Sequence, residues 1–351
     1  MRRAFLAIAL LLGLLMPTAA QAAIQTRDQA IDAYRAATQD ANVDAGWTGS
    51  VQSCTVGSES QASLDATLDT VNILRSFAGL QPVTFDPQYN HYALAAALMM
   101  KAANSLSHTP GPDWPCYSDD GALGAGTSNL FLGESGAQAM VGYVDDSGVG
   151  SLGHRRWVID PGAQVFGSGS TGTTNALKVF GTTPSAPVPA GTQVSWPPAG
   201  YVPWDWVFGT WSLALGGDND FQDFNVDNAQ VQVTMDGQQL DVKNLQTLDD
   251  GYGTGRTFSW DVSLPSSATT ADHDLKVTID GITKNGAAFP VSYTVKAIRI
   301  PNQAECDAAK AKLDKAKAKL KKLHQHHASK KRIKKAKAKV QKAKDAVTAA
   351  C

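Results

Sequence analysis

The sequence predicts an α+β fold followed by an all-β domain and a helical hairpin, and three observations support this. Apolar residues recur at spacings of three and four as far as Asn104, which is typical of amphipathic helices. Between Val231 and Val295 apolar and polar residues alternate, with Asp-Gly turns between runs, which predicts a small immunoglobulin-like β-sandwich. From Cys306 onward the helical spacing returns in two runs, which predicts an antiparallel helical hairpin.

The N-terminus has the layout of a secretory signal peptide. Arg2 and Arg3 precede an apolar run over residues 4–16 that is too short to span a bilayer, and small residues follow it. We expect residues 1–22 to be removed, with cleavage after Ala22 or Ala23. The sequence thus predicts a secreted protein, extracellular or associated with the cell envelope, without a transmembrane segment.

The first domain is predicted to combine several helices with a few short strands. One helix ends at Gly79, and the next covers residues 87–104. Residues 109–129 are rich in Gly, Pro, Ser and Asp, which predicts a long loop, and Ser135 begins a further short helix. Strand ends are predicted near residues 165–167 and 177–181.

Changes in composition set the predicted domain boundaries. The stretch TTPSAPVPAGT, from Thr182, has the composition of a linker. After the signal peptide we expect a first domain with an N-terminal extension over 23–181 and a linker over 182–195. A β-sandwich is then expected over 196–300, and the helical hairpin over 301–351.

Four cysteines in an exported chain favour two disulfides over a metal site. Three pairings are possible in principle. Position along the chain favours Cys54 with Cys116 and Cys306 with Cys351, because each pair then closes one region. Folding the tail at the HHASKK turn, near Ala328, would bring the second pair together at the base of the hairpin.

The C-terminal hairpin carries most of the positive charge of the chain. Residues 301–351 hold fifteen lysines and Arg332 against four acidic residues, a net charge of about +12, while the whole chain has a net charge of −1. Such an excess predicts binding to a polyanion outside the cell, such as an anionic cell-envelope polymer. The binding should be independent of sequence and weakened by salt, so no sequence-specific nucleic-acid recognition is expected.

Four tryptophans near the start of the β-domain allow two interpretations. Trp196, Trp204, Trp206 and Trp211 form a carbohydrate-stacking face or a packed entry into the sandwich, and the neighbouring prolines favour packing.

Five blocks in order along the first domain carry a family resemblance. They are VNILRSFAGLQPVTFDPQYNHYALAAALMM, SLSHT, TSNLFLG, GHRRWVI and ALKVFG. Together they resemble the CAP superfamily (SCP domain; cysteine-rich secretory, antigen 5 and pathogenesis-related proteins), and its bacterial secreted branch in particular. The Asn, Arg and Gly-Leu of that family's first helix match Asn72, Arg75, Gly79 and Leu80.

The resemblance implies an α-β-α sandwich with a central cleft lined by two histidines and two acidic residues. In some members these four residues hold a divalent metal. His108 and His154 match the two histidines, and each ends a structured segment and opens a polar loop. They are therefore the candidate zinc ligands and, in the alternative interpretation, the candidate catalytic bases.

The acidic positions match the family less well. Where the family usually reads Gly-Glu-Asn, this chain reads Thr127-Ser128-Asn129, so that Ser128 replaces the glutamate. Two imidazoles without that carboxylate should bind a metal less firmly. Asp145 or Asp146 is the candidate second acid, with Glu134 as a further one.

Two classes of function follow, and the sequence leaves open whether the protein is an enzyme. The first is a non-catalytic binding or cell-envelope interaction module. Its cleft would take a small or lipid-like ligand near Ser128, Asn129 and Arg155, and its tail would bind the polyanion. The second is an extracellular hydrolase, a peptidase or esterase, in which His108 or His154 acts as base or metal ligand, with Asp146.

Overall fold

The computed structural model describes residues 24–326 and 328–350, without the side chains of residues 303, 348 and 349. The predicted signal peptide and Cys351 lie outside the described residues. The described chain forms two compact units. The first comprises residues 24, 37–188 and 251–254, and the second comprises residues 25–36, 189–250 and 255–350.

Helices and strands occur in both units. The helices are α1 (Arg27–Asp40), α2 (Gln61–Phe77), α3 (Pro87–Ala103), α4 (Asp119–Gly126), α5 (Gly136–Asp145), α6 (Gly153–Val158), α7 (Gln303–Gln325) and α8 (Lys330–Ala350). The strands are β1 (Thr84–Phe85), β2 (Ser128–Leu132), β3 (Val165–Ser170), β4 (Thr174–Lys178), β5 (Gln193–Trp196), β6 (Gly200–Pro203), β7 (Thr210–Leu215), β8 (Phe224–Asn225), β9 (Gln230–Met235), β10 (Gln238–Gln239), β11 (Val242–Thr247), β12 (Arg256–Val262), β13 (His273–Asp280), β14 (Thr283–Lys284), β15 (Ala287–Ala288) and β16 (Val291–Ile298).

The first unit is built on a four-stranded sheet in the order β1-β3-β4-β2. Strand β1 pairs with β3 in parallel, and the other two pairings are antiparallel. Nearly every residue of β3 and β4 is buried, so both faces of the sheet are covered. Helix α3 packs on β3, β4 and α4, while α2 packs on α5. This unit has the mixed α+β architecture that the sequence predicts.

The predicted loop over residues 109–129 is wrong at its C-terminal end, where the chain forms α4 and begins β2. Ser118 caps α4 by accepting a hydrogen bond from the backbone N–H of Gly121. A Cβ added at Gly124 would lie 2.1 Å from the backbone oxygen of Tyr92 in α3. The glycines therefore serve close helix packing here, which composition alone does not distinguish from a loop.

Two residues of α2 hold the chain that follows it. The Asn72 side chain donates to the backbone oxygen of Val83 (3.0 Å) and accepts from its N–H (2.8 Å), as a paired strand would. Helix α2 is followed by Gly79 at φ +72°, as predicted for the stop of this helix. Arg75 is fully buried and donates to four backbone carbonyls, those of Gln81, Val158, Asp160 and Ala163.

The second unit is rich in β-strands. It contains sheets in the orders β10-β9-β13-β16-β6, β11-β12-β7-β5 and β15-β14-β8. The alternating runs predicted from the sequence coincide with β9, β12, β13 and β16. The predicted hairpin with its turn at Asp236-Gly237 is formed by β9 and β10. It is short, because β10 ends at Gln239 and the next strand, β11, pairs with β12 in a different sheet. The immunoglobulin-like topology stays a prediction.

The tryptophans of this unit are core residues. Trp196 and Trp211 are fully buried, and Trp204 and Trp206 are buried as well. The indole N–H of Trp196 donates to the backbone oxygen of Trp206 (3.1 Å). The packed interpretation of the tryptophan cluster is confirmed.

The tail forms two helices, α7 and α8, that pack against each other on either side of Ala328, where the turn was predicted. The apolar positions at spacings of three and four are buried or half-buried, and all fifteen lysines and Arg332 are exposed. No helix in the described ranges is long and apolar enough to cross a membrane.

The disulfide between Cys54 and Cys116 is present, as predicted. Cys306 is also disulfide-bonded. Its predicted partner, Cys351, lies outside the described residues.

Candidate functional site

The best-defined polar cluster in the first unit is an aspartate–histidine pair at the start of α6. Asp146 follows α5 in the left-handed conformation (φ +52°), which turns the chain and directs its carboxylate toward α6. Its Oδ1 lies 2.6 Å from His154 Nδ1, and its Oδ2 accepts from the backbone N–H of Arg155 at 3.2 Å. The Asp146 side chain is 1% exposed and that of His154 is 23% exposed, so the imidazole is open to solvent on one side only.

Neighbouring residues fix the position of this pair. The Asn129 side chain on β2 donates to the backbone oxygen of His154 (3.0 Å). The hydroxyl of Tyr143 lies 3.0 Å from the backbone oxygen of Asn129 and 2.9 Å from Oδ1 of Asn175. The centroid of the Tyr143 ring lies 5.5 Å from the centroid of the His154 imidazole. Strands β2 and β4 and helix α5 thereby hold His154.

Arg155 is fully buried and points into the protein. It donates to the backbone oxygens of Val144 (2.6 Å) and Asp145 (2.8 Å). Burial lowers the pKa of Arg155 to about 10, against the opposing effect of the Asp146 and Asp145 charges. Its guanidinium thus ties α6 to the end of α5, and ligand binding by Arg155 stays a prediction.

His108 is held separately, beside α4. Its Nδ1 lies 2.9 Å from the backbone oxygen of Ala125, and its side chain is exposed. In both His108 and His154 the Nδ1 atom faces an oxygen acceptor, so the neutral ring carries its proton there and leaves Nε2 as the acceptor. Each imidazole therefore presents the nitrogen that a general base or a metal ligand requires.

Ser128 occupies a buried position with an unsatisfied hydroxyl. It is 5% exposed, and its Oγ has no hydrogen-bond partner among the described residues. The other serine near the histidines, Ser107, accepts from the N–H of Thr109 (3.0 Å). Neither hydroxyl is hydrogen-bonded to an imidazole in the part of the chain that the structure describes.

The residues present do not make a closed zinc site. Within the described ranges no three His, Cys, Asp or Glu side chains are gathered around one point. Both Asp146 oxygens already accept hydrogen bonds, and a serine hydroxyl stands where the family resemblance requires a carboxylate. Zinc at His108 and His154 stays a prediction.

The alternative acidic candidates lie outside the pair. Asp145 accepts from the Ser147 hydroxyl (2.7 Å), and Glu134 accepts from the Gln138 side chain (3.0 Å). Asp146 is therefore the acid that the structure brings to His154. Helical spacing could not separate it from Asp145, because the choice depends on the left-handed turn.

A half-buried glutamate in the first unit was not predicted from the sequence. Glu59 precedes α2 and accepts from the Ser63 hydroxyl (2.5 Å) and the Ser170 N–H (2.8 Å). Burial raises the pKa of Glu59 to about 7, although both hydrogen bonds act in the opposite direction. The only sequence signal is its position beside the N-cap Ser60, and that signal predicts exposure.

Comparison with known families agrees with this architecture. Residues 68–182 match the family model described as CAP, the cysteine-rich secretory protein family. The match extends from α2 past the end of β4 and includes His108, Ser128, Asp146 and His154. Over this segment the chain is similar to CAP domains. A search of curated proteins finds no match to the chain.

Proposed function

We propose that the protein is an exported CAP-domain binding module that its lysine-rich hairpin attaches to an anionic polymer of the cell envelope. The His154 cleft of the first unit would then take a small or lipid-like ligand. The match to a secretory family and the Cys54–Cys116 disulfide support export.

The observation that carries the proposal is a basic groove between α7 and α8, with a volume of about 290 Å³. Four cationic side chains and three apolar ones line it: Lys319, Arg332, Lys335, Lys339, Ala316, Leu323 and Ala336. No acidic side chain is part of this lining. Cations from two helices on one concave surface suit a chain of phosphate, sulfate or carboxylate groups, because each anionic group meets more than one donor.

Neutralising the groove should weaken polyanion binding more than neutralising the same number of other lysines. We expect the combined change of Lys319→Gln, Lys335→Gln and Lys339→Gln in the full-length protein to make the salt dependence weaker. The magnitude of the negative slope of log affinity against log salt concentration should decrease by roughly 2 to 3. The control combines Lys310→Gln, Lys312→Gln and Lys342→Gln, which makes the same charge change elsewhere on exposed positions. Glutamine and lysine have similar helix propensity, so both variants should remain helical.

The measurement is retention on immobilised polyphosphate and on cell-wall material across a salt series. A smaller loss for the control than for the groove variant supports the groove. Equal losses would assign binding to total charge alone, and unchanged retention of both variants would remove the tail from the function.

A second candidate function is extracellular hydrolysis, which the Asp146–His154 pair favours. Asp146 holds the proton of the neutral imidazole on Nδ1, so that Nε2 is positioned to take a proton from water or a hydroxyl. The buried carboxylate also stabilises the imidazolium that forms.

If this activity exists, His154→Ala and Asp146→Asn should each lower kcat/KM by roughly 10²- to 10⁴-fold on a responsive peptide or ester. Asparagine tolerates the left-handed backbone of position 146, so the second variant tests the charge. His273→Ala is the matched control, since His273 forms a similar pair with Asp236 in the second unit. Turnover of a panel of peptide and ester substrates is measured before and after treatment with a chelator. Loss of turnover on chelation would identify the histidines as metal ligands. Full turnover by His154→Ala contradicts the hydrolase hypothesis.

A further inference from the structure

The first unit contains a pocket that none of the predicted site residues line. It has a volume of about 470 Å³, within the range of about 300–1,000 Å³ that is usual for small-molecule sites. One wall is the first two turns of α2, with Leu64 and Leu68. The opposite wall is formed by Phe85 and the first two turns of α3, with Leu94, and Ser168 of β3 also lines the pocket.

Glu59 lines this pocket, and two hydrogen bonds fix the orientation of its carboxyl. Oε1 accepts from the Ser63 hydroxyl of α2, and Oε2 accepts from the backbone N–H of Ser170 on β3. Each carboxylate oxygen has two lone pairs, so the carboxylate can accept a further hydrogen bond from a ligand. Burial raises the pKa of Glu59 to about 7, so a cationic ligand that donates to the carboxylate would stabilise its ionised form.

The charge of the lining selects against anions. Asp65 on α2 is a second carboxylate at the pocket, and no lysine or arginine lines it. The only other titratable side chain of the lining is His91 on α3, and its Nε2 is paired with Asp120 at 3.0 Å. An anion placed here would meet two carboxylates without a countercharge, whereas a cation would compensate them.

We propose that this pocket binds an organic ammonium group that carries an apolar body. The N–H donors of the ammonium meet the carboxylates of Glu59 and Asp65, and the body packs on Leu64, Leu68 and Leu94. A primary ammonium has three N–H donors and can therefore donate to both carboxylates. Burial of the hydrocarbon against the apolar walls is also favourable. The ligand is either a free amine or a lysine side chain of a peptide, since both present the same chemistry.

The test is isothermal titration of the full-length protein with hexylammonium, hexanol and hexanoate. We expect hexylammonium to bind at least about tenfold more tightly than the neutral and anionic analogues. Nα-acetyl-lysine methylamide distinguishes the two sources: comparable binding assigns the site to lysine side chains, and much weaker binding assigns it to free amines. Tighter or equal binding of hexanol would overturn the proposal.

Two variants test the carboxylates. Glu59→Gln keeps the size and the acceptor for Ser170 but removes the charge, and it should weaken hexylammonium binding about tenfold or more at about pH 8. Asp65→Asn, at an exposed position that should not affect folding, should weaken it several-fold. Asp69→Asn is the control, because Asp69 lies on α2 outside the lining. Unchanged affinity in Asp65→Asn and in a folded Glu59→Gln would overturn the proposal.

The pH dependence has a definite sign. An ammonium prefers the ionised carboxylate, so hexylammonium affinity should rise roughly tenfold or more between about pH 5.5 and 8, as Glu59 with its pKa of about 7 loses its proton. Asp65, His91 and Asp120 are the other titratable groups here, and all three are retained in Glu59→Gln. The rise should therefore be largely lost in that variant, and its persistence would contradict the assigned role of Glu59.

Discussion

Replacing Arg75 with methionine should lower the free energy of unfolding of the first unit by about 3 to 5 kcal/mol. The Arg75 guanidinium is fully buried and donates to the carbonyls of Gln81, Val158, Asp160 and Ala163. It also lies 5.9 Å from the centroid of the Phe166 ring. Methionine fills much of the volume but leaves the four carbonyls without their donor in a place that water reaches poorly.

The effect comes from geometry as well as charge. Burial lowers the pKa of Arg75 to about 10, so the guanidinium remains protonated at neutral pH. Arg75→Lys should therefore also be destabilising, because an ammonium keeps the charge but cannot reach four carbonyls with the planar fork of arginine. The decrease in the free energy of unfolding in Arg75→Lys should be a large part of the decrease in Arg75→Met.

The measurement is hydrogen exchange of the α2 and α3 amides, or urea denaturation resolved for the first unit. Arg27→Met is the control. Arg27 pairs with Asp272 at a partly exposed position in the second unit, and the loss of such a pair should cost less than about 1 kcal/mol. A loss below about 1 kcal/mol in Arg75→Met would show that the four carbonyls find other donors.

The sequence predicted the elements whose signals are local. Helices α2 and α3 have regular apolar spacing and definite ends, at Gly79 and at the left-handed Asn104. The alternating runs of the second unit and the two helices of the tail were equally clear. Each of these depends on residues a few positions apart, so one stretch of sequence contains the whole signal.

The elements that were missed depend on distant partners. Helix α4 contains three glycines, and two of them, Gly121 and Gly124, allow α3 to pack closely against it, whereas the segment taken alone resembles a loop. Likewise, β1 is two residues long and exists because β3, about eighty residues further along, pairs with it in parallel. Tertiary contacts decide both assignments.

The same difference between local signals and distant contacts applies to the residues of the candidate site. His154 could be selected from its block, but the choice of Asp146 over Asp145 required the left-handed turn after α5. Glu59 could not be selected at all, because its burial depends on Ser170 of β3, more than one hundred positions away. Chemistry that depends on burial is therefore the part that the sequence conceals.

Removing the Cys54–Cys116 disulfide should cost the first unit roughly 4 kcal/mol, close to the effect of Arg75→Met. The bond joins residues 62 positions apart, and in the loop-entropy account a long loop is costly to close without it. Cys54 is exposed and Cys116 is half-buried, so the combined Cys54→Ala and Cys116→Ala change removes little packing. Most of the loss should therefore come from the freed unfolded chain.

The double alanine variant is preferable to a reducing agent, because reduction would also open the disulfide of Cys306. In urea denaturation the first unit of the variant should unfold at a lower midpoint. Because the bond keeps the unfolded chain compact, its removal should increase the surface exposed on unfolding and so give the variant a larger m-value. A lower midpoint with an unchanged m-value would instead place the effect in the folded state. The loop over residues 46–58, which leads to Glu59, would then depend on the bond for its position, and hexylammonium binding should weaken together with stability.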